Sequence, residues 1–408
     1  MDLIIYAIPF FIILIILELI FQVVQKKKIY RLNDAITNIN CGIVQQVTNI
    51  FTKSLLFFTY YFLYNHYRLW TIQDTWYSYV ILLFLVDFAY YLFHRYSHEI
   101  ALFWGSHVVH HQSEDYNFSV ALRQSATETL ISAWFYLPLA LLGFNFLSFI
   151  TVSAIQTLYQ FWVHTEVIDR LPRWYEFIFN TPSHHRVHHA SDPQYIDKNY
   201  GGVFIIYDRI FGTYKEEVEP IHYGITKPVD SWNVLWVNGT YYQKIWTLFW
   251  QAKGLDKLRV LFKRTGWKPD YLGGASLPQA KPTGYQKYDA QSDKWMNYYT
   301  ILLFLFTLGF VSYFLFQYET MSVGVQAVYI VLICWLVFNM GAILEQKSWS
   351  AFSEYLRIGG FWGAFLIIHN NENLWINLWA AIVTFLFFII FLTFSYFHTK
   401  NKRPILAE

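Results

Sequence analysis

The chain has 408 residues, 55% of them hydrophobic, 21% aromatic and 14% charged, with a formal net charge of +2. Soluble globular domains carry about 25% charged residues, so this composition excludes an ordinary soluble fold and a disordered chain. The small net charge also excludes a broad basic surface for nucleic acid. The two cysteines, Cys41 and Cys334, both lie in apolar stretches, which excludes a disulfide framework and a thiolate metal site.

Along the chain, Leu3–Val24 is apolar except for Glu18 and Gln22. At 1.5 Å per residue it matches the roughly 30 Å of a bilayer core. A cleaved signal peptide is the rival reading. It fails because Lys26, Lys27, Lys28 and Arg31 follow the apolar run instead of preceding it. That order predicts an anchor whose N-terminus faces away from the cytoplasm. A second apolar stretch, Cys41–Tyr64, is interrupted by Gln45, Gln46 and Lys53, and a third, Trp76–Phe93, carries one acid, Asp87. Leu130–Val163, broken near Gly143 and Asn145, reads equally as two spans or a re-entrant hairpin. From His164 to Met296 the chain turns polar, which predicts a cytosolic cap of helices and loops. Four apolar runs follow, Tyr298–Phe316, Val323–Leu344, Ile358–Ile368 and Trp375–Phe397, before a basic tail with Lys400, Lys402 and Arg403. Counting crossings places most short-loop Lys and Arg on one side, as the positive-inside bias requires. The expected organisation is 1–75 as membrane anchor helices, 76–236 as the catalytic domain, 237–296 as a cytosolic connecting segment and 297–408 as C-terminal transmembrane helices.

Fourteen histidines stand out against this background, and three clusters hold most of them. His94 and His98 sit where the third apolar stretch ends. His107, His110 and His111 follow, and His185, His188 and His189, preceded by His184, lie in the cap. Residues three and four apart share a helical face, so each cluster presents its imidazoles together; His164 makes a ninth candidate. Neutral imidazole binds Zn, Fe, Cu and Ni, and one ion takes about four such ligands. Nine candidates therefore suit two metals. The isolated His66, His222, His369 and His398 read as interface residues. The fold class that follows is an all-α polytopic membrane protein whose cytosolic helical cap carries a histidine-box dimetal site. A metal transporter is the reading from another class, although transport sites lie near the midplane on broken helices. A membrane zinc hydrolase using Glu99 to activate water is a third.

The spacings HxxxH, HxxHH and HxxHH at His94–His98, His107–His111 and His185–His189 resemble those of the fatty acid hydroxylase/sterol desaturase superfamily of membrane di-iron oxygenases. The flanking words are His107–Ser125 (HVVHHQSEDYNFSVALRQS), Phe161–Val167 (FWVHTEV), Asn180–His189 (NTPSHHRVHH) and Ile196–Tyr214 (IDKNYGGVFIIYDRIFGTY). They are similar to those of its ether-lipid branch, the alkylglycerol monooxygenases. The resemblance implies two Fe ions, dioxygen as oxidant and hydroxylation of an unactivated lipid carbon. In the ether-lipid branch that carbon adjoins the glyceryl ether oxygen, and tetrahydrobiopterin supplies electrons; no pterin-binding motif is legible here. A sterol, fatty acid or carotenoid hydroxylase or desaturase is the alternative within the superfamily. The resemblance gives Glu99 importance, as a catalytic carboxylate beside His98. Asp87, seven residues before His94 and on its helical face, is an acid inside a span, suited to orienting a ligand imidazole or to pairing with another span. Glu114, Asp115 and Asn117 read as hydrogen-bond acceptors or caps, and Asn199–Gly202 and Asp208–Gly212 as turn and packing features.

Overall fold

The computed structural model describes residues 3–219, 221–276, 278–282, 284–290, 293–368, 382–383 and 385–395. Among the described residues there is no strand beyond two isolated bridges, Phe179 with Phe204 and Ala190 with Tyr223. Three long helices come first: α1 (Leu3–Gln25), α2 (Leu32–Tyr67) and α3 (Trp76–Glu99). Three single turns follow, α4 (Ala101–Trp104), α5 (Val108–His111) and α6 (Phe118–Ala121), and then α7 (Glu128–Leu142) and α8 (Phe146–Trp162). The polar region holds α9 (Arg173–Ile178), α10 (Pro182–His188), α11 (Ile206–Ile210), α12 (Val234–Gln251) and α13 (Asp256–Phe262). Then come α14 (Lys294–Gln317), α15 (Val323–Leu344) and α16 (Ser350–Ile368).

Among the described residues, four helical stretches are long and apolar enough to cross a bilayer: Ala7–Gln25, Trp76–Glu99, Lys294–Thr320 and Val323–Leu344. The second apolar stretch of the sequence lies inside α2, which begins earlier, at Leu32, because its first turns bury a polar face. Asn33, Asp34, Thr37, Asn38 and Asn40 are all buried there, so hydropathy breaks where the helix does not. The Leu130–Val163 region is a helical hairpin. Its arms of 15 and 17 residues measure about 22 and 25 Å, short of the ~30 Å hydrocarbon core.

The chain divides into two compact units, Met1–Val229 with Val237–Lys287, and Asp230–Trp236 with Tyr288–Glu408. In the first, α3 packs against both α7 and α8, and α2 against α7. Tyr60, Leu82, Val86, Leu139 and Phe149 form the apolar core between them. In the second, α14, α15 and α16 are joined at one buried carboxylate. Glu354 accepts hydrogen bonds from Tyr299 on α14, Asn339 on α15 and Arg357 on its own helix. That neutralised pair explains why α16 starts well before the apolar run Ile358–Ile368: the charges interrupt hydropathy but not the helix. Of Trp375–Phe397, residues 385–395 are helical. The remainder of that run apart from 382–383, with His369, His398, Lys400, Lys402 and Arg403, lies outside the described residues.

The turn between α7 and α8 depends on a glycine. Gly143 has φ +97°, and its N–H and that of Phe144 bond back to Ala140 and Leu139 at 3.1 and 3.2 Å, a Schellman ending. The segment after α2 lies on this turn, with Leu69 N donating to the Leu141 carbonyl at 2.7 Å and Ile72 N to Gly143 at 3.2 Å. A Cβ at Gly143 would overlap the Trp70 carbonyl, and the left-handed backbone alone costs a non-glycine residue about 1–2 kcal/mol. Gly143→Ala is therefore expected to lower the melting temperature by several degrees. Gly239→Ala, on α12 with nothing within 4 Å of its Cβ, is expected to leave it unchanged or raise it. Equal melting temperatures for the two variants would contradict this account of the turn.

Candidate metal centre

Nine buried or nearly buried imidazoles converge in the first unit, in two sets. His94, His98, His107, His111 and His188 form one; His110, His164, His185 and His189 form the other. Within each set the candidate ligand atoms all lie within 4.8 Å of one another. The division follows from helical spacing. In HxxHH the i and i+4 residues lie about 40° apart around the axis, while i+3 points off to the other side. Thus His107 and His111 enter the five-histidine set and His110 the other, whereas His185 and His189 enter the four-histidine set and His188 crosses to the five. The two boxes are complementary. The sets abut, with the His111 and His189 rings stacked at 4.4 Å and 23°.

The backbone fixes which nitrogen of several rings faces inward. Nδ1 of His94 lies 2.8 Å from the Tyr200 carbonyl, His110 Nδ1 3.0 Å from Arg123 O, His164 Nδ1 2.8 Å from Gln160 O and His188 Nδ1 2.9 Å from Lys198 O. A carbonyl only accepts, so each Nδ1 carries the proton and, in a neutral ring, each Nε2 is a bare lone pair. The bare nitrogens of His110 and His164 then face each other at 3.2 Å. Two lone pairs at that distance repel unless an electrophile lies between or beside them. The other close Nε2 pairs, His107–His111, His111–His188, His164–His185 and His185–His189, are 3.0–3.2 Å apart. Neighbouring ligands about 2.1 Å from one metal and 90° apart are separated by about 3.0 Å. The buried Nε2 atoms of His94 and His98 have no hydrogen-bond partner. This donor set fits a pair of metal ions.

Burial keeps the rings in the ligand form. It holds His107, His111, His164, His185 and His189 well below the usual histidine range, aided by neighbouring imidazoles. It lowers His110 to about 4 and His188 to about 3. At pH 7 these side chains are neutral. His184 and His222 stand outside both sets: His184 Nδ1 meets the Thr181 hydroxyl at 3.3 Å, and His222 Nδ1 lies 2.8 Å from Asp192. The exposed His66 bonds the Phe62 carbonyl within its own helix.

The carboxylates reach the site indirectly. Asp87 accepts from Val203 N at 2.7 Å, Phe204 N at 2.9 Å and Gln156 Nε2 at 2.8 Å. Its hydrogen bonds come from a loop and from Gln156 of α8, not from a histidine ring. Asp208 accepts from Tyr200 N at 2.8 Å and Gly201 N at 2.7 Å. The 200–204 loop, whose Tyr200 carbonyl orients His94, is thus suspended between two buried acids. Gly202 is required there, since a Cβ would come 2.5 Å from Asp87 Oδ1. Asn199–Gly202, read from sequence as a turn, is therefore the support of a site imidazole. Glu99 lies in neither set; its carboxylate faces Arg95 at 3.1 Å and Arg264 at 3.7 Å. Glu114 binds Lys281, Asp115 binds Arg31 and Lys287, and Asn117 caps α6.

Two further supports were missed in the sequence. Arg123 is buried and donates to Val109 O at 2.7 Å, Asn38 Oδ1 and Gln112 Oε1 at 2.9 Å each, while its own carbonyl holds His110. Glu18, buried on α1, accepts from Tyr30, from Thr165 next to His164, and from Phe118 N at 2.9 Å. The signal for Glu18 was present, because an acid inside an apolar span is functional or structural by default.

Comparison with known proteins agrees with this geometry. Residues 79–213 match the fatty acid hydroxylase family. Human alkylglycerol monooxygenase is 39% identical over 369 residues, covering 86% of this chain and 80% of the relative. The protein of the same description from Danio rerio is 36% identical over 362 residues, covering 86% and 79%. Ornithine lipid hydroxylase OlsE of Rhizobium tropici is 29% identical over 159 residues, 38% of this chain and 47% of its own. No solved structure matches significantly. With its histidine boxes folded into one buried cluster beside apolar helices, the chain belongs to the alkylglycerol monooxygenase family within the fatty acid hydroxylases, and it is a membrane lipid monooxygenase.

Proposed function

We propose that the nine histidines hold two iron ions and that the enzyme cleaves the ether bond of alkylglycerols, with tetrahydrobiopterin as electron donor and the site on the cytosolic side. The observation that carries the metal reading is the facing pair of bare nitrogens at His110 and His164, 3.2 Å apart. The substrate and donor readings rest on the alkylglycerol monooxygenases the chain is similar to. The cytosolic side rests on the basic residues Lys26, Lys27, Lys28 and Arg31 after the first span. Residues 76–236, within which the family match falls, are taken as the catalytic domain.

When bound, two irons supply the redox chemistry that reduces dioxygen and inserts one of its atoms into a C–H bond. In balance, one ether methylene, one O2, two electrons and two protons give a hydroxylated carbon and one water. The hydroxylated ether is a hemiacetal, whose C–O bond to glycerol breaks to leave a fatty aldehyde and glycerol. The protein's own part is orientation and exclusion of water. The Tyr200, Lys198, Arg123 and Gln160 carbonyls fix ring tautomers, and burial keeps the imidazoles neutral and dry.

Three outcomes test this reading. Purified protein given an alkylglycerol, tetrahydrobiopterin and oxygen should release fatty aldehyde and glycerol, with one O2 consumed per aldehyde. A hydroxylated sterol or fatty acid without aldehyde would remove the ether-lipid assignment. Metal analysis should find two irons per chain, one for each histidine set, and His164→Ala should lose one of them together with turnover. His222→Ala, outside both sets, should keep both; retention of both by His164→Ala would contradict the ligand assignment. Finally, Asp87→Ala leaves three buried donors unpaired, at about 1–3 kcal/mol each. It is expected to loosen the 200–204 loop, lower the melting temperature and deplete the metal at the five-histidine set before the other. Unchanged metal content and melting temperature would show that Asp87 does not position His94.

A further inference from the structure

The C-terminal half of α12 and the whole of α13 use two faces. Inward, Ile245, Ala252 and Val260 pack with Ala101 of α4, flanked by Tyr241, Leu248, Leu261 and Trp267. Outward, Trp246 (61% exposed), Trp250 (60%), Leu255 (71%), Leu258 (54%) and Phe262 (55%) form a second apolar surface. Trp246 and Trp250 are four apart on α12, and Leu255, Leu258 and Phe262 follow i, i+3, i+7 at α13, so each helix presents a stripe rather than scattered residues.

The charges around this surface are predominantly basic. Between Val237 and Asp270 the sequence holds seven bases, Lys244, Lys253, Lys257, Arg259, Lys263, Arg264 and Lys268, against two acids, Asp256 and Asp270. Lys257 lies over the Trp250 ring at 4.9 Å and the Phe249 ring at 5.4 Å, and Lys253 over Tyr271 at 5.5 Å. These ammonium groups lie on aromatic faces, within reach of the cation–π attraction.

The depth of this element is fixed by the end of a span. Ala101 N, two residues beyond the last residue of α3, donates to the Lys263 carbonyl at 3.0 Å, and the Thr265 hydroxyl lies 3.5 Å from the His98 carbonyl. The C-terminus of α13 is therefore held at the end of α3, which, with α3 as a span, falls near the lipid headgroups.

We propose that the stripe Trp246, Trp250, Leu255, Leu258 and Phe262 is seated in the leaflet in which α3 ends, with the surrounding bases on anionic phospholipid headgroups. A basic amphipathic element with Trp, Leu and Phe on its apolar side has the composition of a helix that lies in the interface, and each Lys or Arg near an anionic surface adds attraction. The proposal depends on α3 being a span and not on the metal or the substrate. Because the same element contacts residues 98–101, it seats the first histidine box against the membrane surface from which a lipid would enter.

The test uses the full chain in nanodiscs of phosphatidylcholine with about one-fifth phosphatidylserine, the protein without an introduced cysteine serving as background. Nitroxide labels are placed at Leu258→Cys, at Arg259→Cys and at Glu216→Cys, an exposed cap position, in variants that keep the wild-type melting temperature. The label at 258 should collide more with oxygen than with a water-soluble nickel chelate, and those at 259 and 216 should show the reverse. Omitting phosphatidylserine should reduce the oxygen preference at 258. Nickel access at 258 equal to that at 216 would overturn the proposal. So would a label at 258 shielded from both reagents, since that places a second copy of the chain on the surface.

Discussion

Nine neutral imidazoles buried in one place are unstable company. Each brings a dipole and a lone pair out of water, and backbone carbonyls force the bare nitrogens of several of them toward a common centre. Neutral nitrogens with no proton between them, as at His110 and His164, repel at 3.2 Å, so the cluster makes chemical sense only around cations. The rest of the first unit is arranged to hold that unfavourable assembly in place. An isolated buried polar atom costs about 1–3 kcal/mol, and the cluster places many of them side by side.

The fold meets this demand with a shell of charged and amide groups outside the two histidine sets. Asp87 and Asp208 take four consecutive-region N–H groups of the 200–204 loop, and the loop's Tyr200 carbonyl then orients His94. Arg123 braces the second box from behind through Val109 and through α2 at Asn38. Glu18, from the first helix, ties together the segments around Phe118 and Thr165. The N-terminal helices thus reach the histidine cluster through their polar residues while presenting apolar surface outward, as Phe10, Ile13 and Leu17 do on α1. The same division recurs in the second unit, where Glu354 and Arg357 are buried between apolar helices.

Much of this was legible in the sequence because histidine spacing is a direct statement about helix geometry. The nine residues His94, His98, His107, His110, His111, His164, His185, His188 and His189 are the nine that converge. Their split into five and four was not read, although HxxHH contains it, because it emerges only when two such boxes face each other. Apolar runs located α1, α3, α14 and α15 well. They failed for α2 and α16: Asp34 and Asn38 are satisfied by Ser113, Ser119 and Arg123, Glu354 by Tyr299 and Asn339, and Arg357 by Glu354 one turn away, and hydropathy cannot see a partner. For Asp87 the sequence placed an acid inside a span, but its hydrogen bonds come from a loop more than a hundred residues away and from Gln156 on α8, which periodicity cannot show. Glu18 was visible as an acid in a span and was passed over. Glu99 shows the converse: adjacency to His98 in sequence places it outside both sets, against Arg95.

The central claim is that separate segments of one chain bring their imidazoles into two adjacent metal sites. Anomalous scattering at the iron edge, from crystals of anaerobically purified protein, measures this most directly. The account predicts two peaks, one enclosed by His94, His98, His107, His111 and His188 and the other by His110, His164, His185 and His189. A single peak, or iron bound away from these rings, would contradict it.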